Sequence, residues 1–412
     1  MELPSNEWVL TPIDPPLNRS AVDELRRRVA FFAAGVIDFE LVFDGAFIVA
    51  LKVHFSPGVD KQLGLSQVIR GVSHEFRNQP DFGDPQITWR SCSTRELTDQ
   101  WDTGGQLLEN EHASGRASMH GDLGKLPGLL DALIMARVAP EDVQAVRLPI
   151  LLPRKTLERS GYFNSFPHYL FSVFGLESNF DSLSALAIAA GEGNKAEVER
   201  LLSLATTDTA YHLPPTVCYA MFEFLSEATN VEHASFSARS PSFRNEGMYV
   251  EPLLRQLDFT IRETLFVGAR QYVEDRAFVF RENFLHMIDD LELAAHEQVA
   301  NDPFFGGTGA SARVRIQRMR AVKHEVLVTV GPSKMTAVAS FNTHNSYFAS
   351  RFRFGKDALG SDPTVTACCG IGLERLSAAI LAQHGPSEAG WPLLLKEAAA
   401  IERESLRRLS GL

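Results

Sequence analysis

From about residue 143 onward the chain alternates short apolar, β-branched stretches with polar loops of uneven length, and this pattern constrains the fold most. Strand candidates fall at 236–238, 257–267, 313–319, 325–330 and 337–341. Loops of such varied length favour a mostly antiparallel sheet. Helical spacing supplies its cover. A long acidic pattern runs over 269–299 and is expected on the outside, and two helices, 371–383 and 391–406, close the chain around His384-Gly385-Pro386. The expected class is α+β.

The first segment reads as a separate small α+β unit. Residues 20–34 have helical spacing behind Ser20, and 39–43 and 46–55 flank Asp44-Gly45, a two-residue hairpin signal. A helix at 63–76 and a strand at 86–91 follow. The polar, glycine-containing stretch 102–115 reads as a linker, which divides the chain into a domain over 1–117 and a second over 118–412. At about 150 residues per domain, 412 residues suit two or three such units. The second opens with a helix over 127–137, with Pro127 at its first position. There is no internal repeat and no heptad seam for a coiled-coil arm.

Charge and cysteine content narrow the partners. A net charge of −11 gives a field that repels a phosphate backbone, which argues against tRNA. No apolar run approaches the roughly 18 residues that span a bilayer, so no membrane is expected. Met1 to Glu7 lacks the basic start and apolar stretch of a signal peptide, and four cysteines make no disulfide framework. A reducing cytoplasm is the expected setting.

Three local patterns carry chemistry. Arg147-Leu148-Pro149 leads into a short helix and turn ending Phe166-Pro167. Phe243-Arg244-Asn245-Glu246 is followed by Arg255, Phe259 and Glu263 at intervals of four, which on an extended strand share one face. Two arginines, an aromatic plane and two carboxylates in one cleft suit a nucleotide: phosphate, base and exocyclic amine. On the residues alone, a solvated hairpin with ordinary ion pairs is the commoner outcome. The last pattern, Gly370-Ile371-Gly372-Leu373-Glu374-Arg375, places glycines at a strand-to-helix junction and an arginine in the first turn. Alone it is also met in plain tight connections.

In this order the three patterns resemble the signature motifs of class II aminoacyl-tRNA synthetases: the interface helix-strand with its proline (Pro149), the FRxE-loop-RxxxFxxxE hairpin and the GxGxxR strand-helix. Leu213-Pro214-Pro215-Thr216-Val217-Cys218-Tyr219, Asp302-Pro303-Phe304-Phe305-Gly306, Ser340-Phe341-Asn342-Thr343-His344 and Thr366-Ala367-Cys368 look like the amino acid:[carrier protein] ligases. Those are relatives of archaeal-type seryl-tRNA synthetases without the tRNA-binding arm. The resemblance runs from about Leu123 to the C-terminus and leaves the first segment uncovered.

It implies a class II synthetase-like antiparallel sheet flanked by helices, with the small N-terminal α+β domain as an addition. It implies an ATP-dependent ligase that forms an aminoacyl-adenylate from a small amino acid and passes it to the phosphopantetheine thiol of a carrier protein. Arg244 and Arg375 would be the catalytic arginines, with Arg244, Glu246, Arg255, Phe259 and Arg375 binding ATP. Glu263, Ser340 and Asn342 would meet the amino-acid substrate. Cys218, Glu263 and Cys368 would hold Zn2+, leaving a fourth position for the substrate amine. On the residues alone, two buried thiols and an ion-paired carboxylate are the commoner explanation of these three. Mg2+ would accompany ATP; seryl-tRNA synthetases carry an acidic ligand for it where Thr336 stands here. A homodimer is implied, and an amphipathic helix over 194–204 is the expected carrier-docking element. Cys369 is expected to face away from Cys368, and Cys92 has no assigned role. Two other readings remain: a seryl-tRNA synthetase-like enzyme that charges tRNA, and a non-catalytic paralogue that binds a small molecule or protein.

Overall fold

The computed structural model describes residues 8–18, 21–22, 25–26, 28–29, 33, 36–55, 63–77, 86–95, 97–98, 101–109, 115–226, 231–247, 250–300, 321–355 and 363–410. The strand expected at 313–319 and the Asp302–Gly306 motif lie outside them.

The N-terminal part is a three-stranded antiparallel sheet: β1 (Trp8–Asn18), β2 (Val36–Asp44) and β3 (Phe47–Phe55), with β3 central. Gly45 turns the β2–β3 hairpin at φ 56°, as the Asp-Gly pair requires. Helix α1 (Leu63–Arg77) and the helical residues around Leu25 and Val29 lay Leu25, Val29, Leu65 and Val72 on Ile48, Leu51 and Val53, a core of its own.

The main sheet has eight strands. β4 (Ile87–Arg90) forms one edge, although it precedes the boundary expected near residue 117. The described part of the stretch read above as a linker, residues 102–109 and 115, is held by pairing. It contributes β5 (Leu107–Glu109), paired with β6 (Ala117–Met119), and the Trp101 indole donates to the Val330 carbonyl. Gly115 sits at φ 82° so close to Val250 and Leu257 that a Cβ would lie 2.8 and 2.9 Å from them, so here glycine is required.

Helix α2 (Gly121–Leu133) begins six residues earlier than its proline suggested. Its stripe of Leu123, Leu126, Leu129 and Leu130 packs into the core, and that burial outweighs the hydrogen bond Pro127 removes. Then come β7 (Gln144–Ala145), β8 (Leu152–Pro153), helix α3 (Arg154–Ser160), β9 (Ser172–Leu176), helices α4 (Phe180–Gly191) and α5 (Lys195–Ala205), and β10 (Thr206–His212). β8, β10 and β9 make a small separate sheet.

The remaining elements surround the site: helix α6 (Cys218–Phe224), strands β11 (His233–Phe243) and β12 (Asp258–Gly268), helix α7 (Arg270–Asp290), strands β13 (Ala295–Val299), β14 (Lys323–Gly331) and β15 (Lys334–Asn345), helix α8 (Tyr347–Phe352), strand β16 (Val365–Gly372), and helices α9 (Leu373–His384) and α10 (Leu393–Ser410). The sheet order is β4-β13-β14-β15-β16-β12-β11-β7, antiparallel except where β7 runs parallel to β11. The 269–299 pattern is thus not one helix. It ends at Asp290, turns through Glu292 at φ 51°, and continues as β13.

Alternate residues divide the sheet into two faces. One packs under α2, α7, α9 and α10 through Phe266, Phe280, Phe284, Val326, Val328, Ile371 and Leu376. Two buried ion pairs pin this face: Arg262 grips Asp131 of α2 with two bonds of 2.6 and 2.7 Å, and Arg281 of α7 grips Glu297 of β13. The opposite face carries Ile261, Leu265, Val267 and Cys368 and meets Cys218, Met221 and Phe222 of α6 and Phe348 and Phe352 of α8. Among the described residues no helix is long and apolar enough to cross a membrane.

Candidate active site

The α6/α8 face of the sheet bears a row of polar side chains set by register. Directly opposed residues of antiparallel strands share a face. Glu263 of β12 pairs with Gly370 of β16, Gly370 with Ser340 of β15, and Ser340 with Glu325 of β14. One step along, Cys368 pairs with Asn342 and Asn342 with Lys323. Gly370 has ordinary room for a Cβ, which would lie 3.9 Å from the Glu263 carboxylate. A Cβ there would touch Ile261 at 3.7 Å as well, so glycine keeps this part of the floor low, and no close backbone contact demands it.

At one end of this floor Cys218, Glu263 and Cys368 converge. All three are buried, and their ligand atoms lie within 4.8 Å of one another. Glu263 reaches the start of α6: its Oε2 accepts from the Thr216 hydroxyl at 2.9 Å and from the Val217 and Cys218 amides at 3.0 Å. A carboxylate at a helix N-terminus satisfies amides that the helix leaves bare. With Oε2 so occupied, Oε1 remains for another partner. A bond to Cys368 pulls the Cys218 thiol down, but burial and the Glu263 charge leave it raised. Cys368 stands well above the usual thiol range, from its bond with Cys218, then burial and Glu263. Two neutral thiols beside a buried carboxylate become a consistent set when a divalent cation replaces the thiol protons. Soft sulfur with one carboxylate suits zinc, so the residues present fit that ion.

At the other end a narrow cleft is lined by Glu246, Leu253, Leu254, Phe259, Gly372 and Arg375. Arg255 Nη1 donates to Glu246 Oε2 at 2.9 Å, and Glu246 is buried. Arg255, expected on the strand with Phe259 and Glu263, stands instead in the 244–257 connection, where it bridges to Glu251. That connection is longer than the roughly eight residues the sequence suggested. Arg244 donates from Nε to the Pro215 carbonyl at 3.1 Å and lies 5.2 Å over the Phe259 ring. Arg375, in the first turn of α9, donates to the carbonyls of Leu254 at 2.6 Å and Ala337 at 3.1 Å. Burial, then Arg255 and Arg244, lowers Arg375 to about 10 against the pull of Glu246 and Glu325, which leaves it charged at neutral pH. Among the described residues Arg244 and Arg375 form hydrogen bonds only to neutral carbonyls, so their charge is available to an anion.

Ser340 and Asn342 lie between the two ends. Asn342 Nδ2 donates to Ser340 Oγ at 3.0 Å and lies 4.0 Å from Cys368 Sγ. The fold thus brings Cys218, Glu263, Cys368, Ser340 and Asn342 to one part of this face and Arg244, Glu246, Arg255, Phe259 and Arg375 to its other end. It adds Lys323 and Glu325, linked at 3.0 Å. The alternation Lys323-His324-Glu325-Val326 carries that signal, since it puts two charges on one face of a buried strand. Cys369 faces the other core beside Ala367 and Ile371, and Cys92 is exposed.

No family model matches the chain. It is 32% identical over 276 residues to amino acid–[acyl-carrier-protein] ligase 2 of Bradyrhizobium diazoefficiens, covering 65% of this chain and 77% of that one. Ligase 1 of the same organism is 29% identical over 266 residues, 63% of this chain and 77% of the other. A type-2 serine–tRNA ligase of Methanococcus maripaludis is 26% identical over 260 residues, and the match spans about half of its length (49%). Among solved structures, the M. kandleri seryl-tRNA synthetase, in complex with A. aeolicus tRNASec, superposes with a TM-score of 0.66 at 19% identity, over 96% of this chain and 77% of that one. The Naegleria fowleri cytoplasmic serine–tRNA ligase in complex with AMP gives 0.56 at 11%, over 82% of this chain and 80% of that one. The fold is therefore that of the class II aminoacyl-tRNA synthetases. Within that class, identity to ligase 2 over most of that relative's length assigns the chain to the amino acid–[acyl-carrier-protein] ligase family.

Proposed function

We propose that this protein activates a small amino acid with ATP and transfers it to the phosphopantetheine thiol of a carrier protein. The observation that carries this reading is the shared floor. The cleft that holds Arg375 and the Cys-Glu-Cys cluster stand on one sheet face, with Ile261, Gly370, Ser340 and Asn342 between them. An oxygen of the amino-acid carboxylate attacks the α-phosphorus of ATP and pyrophosphate leaves. The carrier thiol then attacks the acyl carbon and AMP leaves. The first step needs positioning and charge stabilisation more than covalent help. Arg244 meets the α-phosphate and Arg375 the γ-phosphate, while Glu246, steadied by Arg255, accepts from the adenine amine and Phe259 stacks on the base.

Cys218, Glu263 and Cys368 would hold zinc, which supplies a Lewis-acidic position for a free amine. Asn342 and Ser340 line the aminoacyl end. Magnesium would come with ATP. The α4–α5 hairpin supports the docking role read for residues 194–204. Phe180, Ile188 and Leu204 are 84, 62 and 68% exposed, an apolar surface suited to a partner. Exposed Ile150 and Leu151 beside Pro149 support a homodimer through this segment. Three buried free thiols suit a reducing cytoplasm.

Amino-acid-dependent exchange of pyrophosphate into ATP tests the reading. Exchange with a small amino acid is expected; none with any amino acid, on zinc-loaded protein, favours a binding protein. Charging of tRNA is the second reading, favoured by the serine–tRNA ligase relatives and opposed by the net charge of −11.

A further inference from the structure

β15 carries a bulge at one point along the site. Thr343 pairs with Ala367 and Asn345 with Thr366, so His344 is the extra residue between them, and Asn345 takes up φ 51°. Bulges re-aim a side chain and gather beside active sites. Here the bulge turns the imidazole toward the Cys-Glu-Cys cluster. Its Nε2 lies 3.5 Å from Cys368 Sγ, and its Nδ1 lies 3.0 Å from the hydroxyl of buried Thr366. The ring is wedged edge-on against Phe348, centroids 4.8 Å apart, and against Phe222 at 6.0 Å. His344 is not among the group whose ligand atoms all lie within 4.8 Å of one another, so it stands outside the metal-binding set.

We infer that His344 is a positioning residue for the metal centre: it donates from Nε2 to Cys368 Sγ and aims that sulfur at Cys218 and Glu263. The Thr366 hydroxyl donates to Nδ1 and thereby puts the ring proton on Nε2. The two phenylalanines hold the ring at this angle. Cys368 then receives N–H groups from both His344 and Asn342, the outer support that fixes a ligand's direction. The inference rests on the metal reading proposed above.

Its test compares wild type with His344→Phe, His344→Ala and His344→Gln, by zinc competition against a chelator and by the thiolate-to-metal charge-transfer band of Co2+-loaded protein. His344→Phe keeps a ring against Phe222 and Phe348 but has no N–H, so it separates packing from hydrogen bonding even if His344→Ala fails to fold. Loss of roughly 10- to 100-fold in zinc affinity and a shifted band are expected for His344→Phe, with partial recovery in His344→Gln, whose amide donates again. Wild-type affinity and an unshifted band in His344→Phe overturn the role. A wild type that binds neither zinc nor Co2+ overturns the metal reading itself, and this role with it.

Discussion

Arg375 is where the chemistry of single residues is plainest. Its guanidinium is held between two carbonyls and repelled by Arg244 and Arg255, an arrangement that an incoming polyphosphate relieves. Arg375→Ala is expected to lower pyrophosphate exchange by about 10²–10³, the usual cost of removing one preorganised donor, in steady-state kinetics. A variant within tenfold of wild type contradicts that role. The two adjacent cysteines give a sharper contrast. Cys368 faces the cluster and Cys369 faces the core. Cys368→Ala should lose bound zinc and exchange together, whereas Cys369→Ala should keep both and lose only stability; metal analysis by mass spectrometry checks the pair. Equal zinc content in the two variants contradicts the assignment.

At the scale of elements, two ion pairs hold helices to the sheet that carries the site. Asp131 is the two-point partner of buried Arg262, so Asp131→Ala strands a charge and should cost about 3–5 kcal/mol in chemical denaturation. Glu297 adds a pH signature. Burial opposes its ionisation, but bonds from Arg281 and Thr88, with the His324 ring 3.7 Å away, prevail and hold it at about 2, against 4.5 for a free carboxyl. A depressed carboxyl stabilises fully above the unfolded value and progressively less as pH falls toward the folded one. The denaturation midpoint should therefore drop between pH 4.5 and 2 more steeply in wild type than in Glu297→Gln; parallel curves contradict this. Strands β11, β12, β14 and β15 were legible in the sequence as apolar, β-branched runs bounded by polar loops, and the motif residues because Arg244, Glu246, Phe259 and Arg375 follow a recognisable order. Three features were not. Nothing local marks the end of α7 at Asp290, since Leu291 and Leu293 continue its apolar content while Glu292 makes the turn. Pro127 suggested a helix start because its rule is local, and the leucines before it override the rule through tertiary burial. His344, Lys323 and Glu325 join the site only through strand register and a bulge, which pairing decides and spacing does not.

At the scale of the whole molecule, the proposed function joins the floor of Gly370, Ser340 and Asn342 to two exposed apolar surfaces, one at Ile150 and Leu151 and one on the α4–α5 hairpin. The α4–α5 hairpin leaves Phe180, Ile188 and Leu204 bare, and Ile188→Glu with Leu204→Glu should raise KM for the carrier while pyrophosphate exchange stays unchanged. Loss of exchange in that variant would mean the hairpin serves the site and not docking. The acidic field set by a net charge of −11 suits a protein acceptor that presents a flexible thiol better than a tRNA backbone. The most direct measurement offers the protein, ATP, a small amino acid and either a phosphopantetheinylated carrier, the same carrier without that arm, or tRNA, and follows acceptor mass. The expected result is one aminoacyl increment on the phosphopantetheinylated carrier, labile to hydroxylamine, and none on the other two. An increment on tRNA, with the carrier unmodified, contradicts the account.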